Sequence, residues 1–178
     1  MDTSPSGWTP AQLEEPPADV TDPYELLVRH LEWFRAAVFR KIDGLTDEQL
    51  RTPVAPFGWA PLGLVQHLGW VERRWLRWGF AAEQVIAYPS GGDTTEWGID
   101  GAEPTGSVLA FYHDECERAR RIVAGHALDD PAAVGGRFPS AEQAPSLGRI
   151  LVHLLQEYAR HLGHLDAARE IVDGATGE

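Results

Sequence analysis

The chain has little cysteine, few basic residues and no long apolar run. Its 178 residues include one cysteine, Cys116, and one methionine. A single thiol excludes an intramolecular disulfide framework and a cysteine-cluster metal site. Lys and Arg number 15 against 27 Asp and Glu, a formal charge of -12. That deficit argues against a nucleic-acid or anionic-membrane partner, since both reward a cation surplus that displaces counterions, although a local basic patch is compatible with it. No stretch approaches the roughly 20 apolar residues of a membrane span. The start, Met1-Asp2-Thr3-Ser4-Pro5, is acidic and proline-rich where a secretory signal is basic and then apolar. A soluble cytoplasmic protein is the expectation. Against these shortages, seven tryptophans and seven histidines stand out.

The length suits one domain with a sizeable core. Residues 1–21 carry Pro5, Pro10, Pro16 and Pro17 and no helical period, so they read as an extended or disordered arm that Trp8 and Leu13 could dock on the body. A first helix starts at Asp22-Pro23, with Glu25 completing a capping box, and shows Leu27, Leu31, Phe34, Val38 and Ile42 on one face up to Gly44. Thr46-Asp47-Glu48-Gln49 repeats the capping pattern and opens a single turn. A second helix runs from Pro61 to about Phe80, a third over about 106–126, and a fourth from the cap Ser146 to about Val172. Residues 174–178 are a tail. Gly and Pro fall mostly in the arm and in the connections 81–104 and 128–145; Gln84–Tyr88 is the one weak strand candidate. Four long helices predict an all-α four-helix bundle, and the long second link predicts an up-down-down-up order with crossover loops.

The fourth helix carries the unusual residues. Ile150, Leu154, Tyr158, Leu165 and Ala168 mark its apolar stripe, and Glu157, His161 and His164 fall on or beside it at spacings of four and three. Such residues share one helix face. A carboxylate facing a bundle interior is costly unless paired or metal-bound. His67, among Leu64, Val71 and Trp75 on the second helix, also points inward. Together His67, Glu157 and His161 would make a three-ligand His₂Glu site, a composition that in zinc enzymes leaves a position open. Plainer readings are open at this point: an inward histidine hydrogen-bonded in the core, Glu157 paired with Arg160, and solvated His161 and His164. His153 and His164 each lie one turn from a proposed ligand. His30, His113 and His126 read as surface or helix-end residues.

Cys116 reads as a small buried hydrophobe, since no base can be placed beside it. No Gly-x-Ser-x-Gly elbow occurs, and Gly91-Gly92 is too isolated for a phosphate loop. Trp70, Trp75 and Trp78 read as packing, Trp59 as the tryptophan at a pocket mouth, and the pairs Arg73-Arg74 and Arg120-Arg121 as solvated helix faces.

Three stretches carry a resemblance: Gly44–Arg51; Leu62-Gly63-Leu64-Val65-Gln66-His67-Leu68 with Val71-Glu72-Arg73; and Val152–His164. Over about residues 22–173 the chain resembles the DinB/YfiT-like superfamily. It is most similar there to the actinobacterial branch with mycothiol S-transferases and the metal-binding domain of mycothiol-dependent maleylpyruvate isomerase. The resemblance implies a four-helix bundle with a divalent metal, zinc first and nickel second, on His67, Glu157 and His161. Many members use three histidines, and Glu157 looks like the isomerase-type variant. It also implies mycothiol or a similar small thiol as co-substrate, made a thiolate on the metal, with an electrophilic acceptor. Trp59 is then expected to help bind the thiol and His164 to touch substrate or act in catalysis. Alternatives are a metal hydrolase or isomerase needing a separate base, for which His164 is the candidate, and a non-enzymatic stress-associated binding protein dimerising through an exposed bundle face.

Overall fold

The computed structural model describes residues 14–92 and 95–176. Trp8 and Leu13, the residues expected to dock the arm, lie outside them. Among the described residues there is no strand, and Gln84–Tyr88 is irregular. The elements are α1 (Pro23–Ile42), the short α2 (Asp47–Arg51), α3 (Pro61–Glu72) with a π-helical continuation (Arg73–Phe80), α4 (Thr105–Val123) and α5 (Leu147–Asp173). The protein is an all-α helical bundle.

The boundaries follow local chemistry. Asp22 accepts the backbone N–H of Glu25 at 2.8 Å, and Ser146 accepts that of Arg149 at 3.3 Å. Thr46 and Gln49 exchange the two bonds of a capping box. The second helix reaches Phe80 as expected, but its last turns widen. Ala81 donates to the carbonyl of Leu76, five residues back, at 2.9 Å. Gly79 permits this winding, because a Cβ there would sit 2.8 Å from the Arg74 carbonyl. Such segments are rare and often stand near functional sites.

The expected stripes form the core. Leu31, Val38, Leu64, Val108, Tyr112, Ile150, Leu154, Tyr158 and Leu165 are all buried. Each large apolar side chain so placed contributes about 1.5–3 kcal/mol. Lys41 pairs with Asp166, and Arg169 donates to the carbonyls of Lys41 and Asp43, which joins the C-terminal ends of α1 and α5. Tyr24, at the start of α1, donates to the carbonyl of Val123 at the end of α4. Arg73 and Arg77 both pair with Glu115, which fastens the second long helix to α4.

The interior also holds charge that periodicity did not reveal. Glu72 is fully buried and receives Arg35 on both oxygens, at 2.8 and 2.7 Å. Tyr158 donates to the same carboxylate at 2.7 Å, and its oxygen lies 3.0 Å from that of Tyr112. The pairing satisfies a carboxylate that burial would otherwise penalise heavily. It also ties α1, α3 and α5 together one residue from Glu157.

The arginine pairs correct the sequence reading. Arg74 is 7 % exposed and salt-bridged to Glu96, and Arg73 is held by Glu115. Arg120 is half-buried against Glu32, and only Arg121 is a solvated residue. Buried carboxylates on neighbouring elements draw the other three inward, and nothing in the spacing of one helix signals them.

Candidate metal centre

Two helices bring three donor groups to one point. His67 comes from the middle of α3, and Glu157 and His161 from successive turns of α5. Their ligand atoms all lie within 4.8 Å of one another. The His67 Nε2 and His161 Nε2 atoms are 3.2 Å apart, and His161 Nε2 is 3.3 Å from Glu157 Oε2. A tetrahedron with metal–nitrogen bonds of 2.0–2.1 Å has ligand atoms about 3.3 Å apart; the two separations through His161 Nε2 match that, and the trio could hold a divalent cation. Among the described residues, no other trio of His, Cys, Asp or Glu side chains is placed to share an ion.

The electrostatics suit ligation. Burial, with the neighbouring His67 second, pushes His161 down to about 4. Its imidazole is therefore neutral near pH 7, the form that offers a lone pair. Burial likewise holds His153 below the usual histidine range. His153 Nε2 stands 3.6 Å from the other Glu157 oxygen, with its ring against Trp75. His164 lies behind His161: its Nδ1 is 3.4 Å from His161 Nδ1, on the far side of that ring from the convergence point. The trio therefore includes neither His153 nor His164.

A strip of rings borders the trio. Trp97 stacks on His67 with centroids 4.3 Å apart. Trp59 lies 6.1 Å from Trp97 and 6.0 Å from His164 and is stacked on the exposed Phe57. The structure thus brings Trp59 and His164 into one neighbourhood beside the trio. Trp70 and Trp78 sit elsewhere, half-buried and packed on Phe111 and Tyr88, while the half-buried Trp75 lies between His153 and Phe138.

Sequence reasoning missed Glu96 and Trp97. Both lie in the irregular connection before α4, where no hydrophobic period exists to mark an inward side chain. Glu96 is 4 % exposed, and its Oε1 is 2.9 Å from His67 Nδ1. Burial opposes its ionisation, but bonds from His67 and Arg74 outweigh that and hold the carboxyl below its ordinary range.

Two other features contribute no chemistry here. Burial, reinforced by Glu72, pushes the Cys116 thiol up to about 12, so it is neutral and inert. A cavity of about 690 Å³ between α1, α4 and residues 14–17 is lined by Tyr24, Val28, Leu31 and Val123. It touches none of the three donors, so donor chemistry rather than volume locates the site. His30, His113 and His126 are not buried. Among the described residues no helix is long and apolar enough to cross a membrane.

No curated protein matches the chain. The family model described as mycothiol-S-transferase matches residues 26–174, from the first turn of α1 to the end of α5, with all three donors inside the match. The chain belongs to the mycothiol-S-transferase family.

Proposed function

We propose that this protein is a divalent-metal-dependent thiol S-transferase of the cytoplasm. Its substrates would be a low-molecular-weight thiol of the mycothiol type and an electrophilic acceptor. The observation that carries the reading is the convergence of His67, Glu157 and His161 within 4.8 Å, in a member of this family. These residues would hold the metal, zinc by preference for a mixed imidazole and carboxylate set. A bound divalent cation supplies Lewis acidity that favours the thiolate of a coordinating thiol.

The protein's own groups divide the remaining work. His161 presents a neutral nitrogen, His67 a second imidazole and Glu157 a carboxylate. Trp59 would lie along the bound thiol. His164, half-buried next to Trp59 and behind His161, would touch the acceptor, and the proton that leaves the sulfur would pass to solvent. In the net reaction the S–H bond breaks, sulfur forms a bond to the electrophilic carbon, and the leaving group departs with that carbon's bonding pair. Because Cys116 is buried and neutral, the nucleophilic sulfur comes from the small thiol.

The test is conjugation of mycothiol to a chromogenic nitroaryl halide by zinc-loaded protein. Turnover that needs both thiol and metal, and is lost after dialysis against a chelator, supports the reading. Stoichiometric metal without conjugation to this or any other electrophile class would sink the transferase assignment.

A further inference from the structure

His67 is the one donor supplied by α3, and both ring nitrogens and one ring face have partners. Glu96 meets Nδ1 at 2.9 Å, Trp97 covers one face, and Nε2 points at His161. Glu96 is in turn gripped by Arg74, which reaches both of its oxygens. An ionised carboxylate can only accept hydrogen bonds. The proton of that contact therefore belongs to His67 Nδ1, which leaves the Nε2 lone pair directed at the trio.

The loop bearing Glu96 is fastened to α3 by residues of the same motif. Gln66 donates to the carbonyls of Glu96 and Gly98, at 2.9 and 3.0 Å. Gly63 lets the loop close down, since a Cβ there would lie 2.2 Å from the Trp97 carbonyl oxygen. Gly63, Gln66 and His67 lie three and four residues apart, on one face of the helix. The metal reading uses only the last of them and leaves the other two without a role.

We infer that Glu96, locked by Arg74 and by the Gly63–Gln66 clamp on its loop, is the positioning residue that sets the tautomer and aim of His67 for metal binding. The inference rests on the metal reading above, and it accounts for Gly63 and Gln66 as parts of the same device. A carboxylate behind a ligating histidine fixes ring orientation and raises ligand basicity, and losing it costs 10- to 100-fold in metal affinity in sites of this kind.

Two measurements test it. The first is zinc affinity by competition with a chromophoric chelator. Glu96→Gln is expected to bind zinc about 10- to 100-fold more weakly than wild type, with an unchanged circular-dichroism spectrum. Gly63→Ala should weaken binding in the same direction by displacing the loop. Equal affinity of wild type and a folded Glu96→Gln would overturn the inference. The second is the tautomer of His67 in metal-free protein, read from long-range ¹⁵N–¹H correlations. Wild type should carry the proton on Nδ1, and Glu96→Gln should lose that preference. A wild-type Nε2–H tautomer would sink the inference whether or not zinc binds. Wild type that binds no zinc would instead defeat the metal reading, and the tautomer result would still decide the role of Glu96.

Discussion

The Nε2 atoms of His67 and His161 stand 3.2 Å apart although 94 residues separate them in the chain. Two unprotonated nitrogens at that distance repel unless a proton or cation lies between them. On the proposed reading the carboxylate of Glu157, one turn before His161, favours a cation there.

The trio should therefore bind one divalent ion per chain. Elemental analysis of purified wild type is expected to find it, and His67→Ala should retain little or none. Zinc should also raise the melting temperature of the metal-free protein, because ligand at 100 times its Kd stabilises by about 2.7 kcal/mol. A melting temperature indifferent to zinc would contradict a folded-state site.

Trp59 and His164 should affect substrate and leave metal alone. Trp59→Ala is expected to raise KM for the thiol roughly tenfold, the scale of losing one aromatic contact of about 1.4 kcal/mol, at unchanged zinc stoichiometry. His164→Ala should lower kcat. Steady-state kinetics on zinc-loaded variants check both, and a drop in metal content would reassign either residue.

The Arg35–Glu72 pair should be costly to break from one side. Arg35→Met leaves an uncompensated buried carboxylate and is expected to lose about 3–5 kcal/mol. Removing both charges with Arg35→Met and Glu72→Leu should cost less than the sum of the two single changes. Urea unfolding of the four proteins measures the coupling directly.

Alkaline stability should fall as buried acids ionise. Cys116 stays neutral in the fold up to about 12, whereas an unfolded thiol ionises near about 8.5. Unfolding then releases a proton between those values, so stability drops as pH rises through that interval and is unaffected below it. Burial raises Tyr112 and Tyr158 in the same sense. Cys116→Val should flatten the fall without removing it, as thermal melts from pH 7 to 11 would show. A thiol reagent should label native Cys116 only at the rate of unfolding.

What the sequence determined by itself was everything that travels along a helix. The apolar periods marked the long helices, Asp22 and Ser146 marked two of their starts and Thr46 that of the short α2, and the four-residue step from Glu157 to His161 put two donors on one face before any fold was known. His67 was legible as the third for the same reason, being inward on its own stripe. What only the tertiary structure decided lies between elements. Glu96 and Trp97 sit on an irregular connection, whose side chains have no period to betray their direction. Arg35, Glu72 and Arg74 look in the sequence like ordinary surface charges, and only the packing of one helix on the next puts each within reach of its partner. A charge can enter a core when its counter-charge arrives from another element, and no single segment of sequence carries that information.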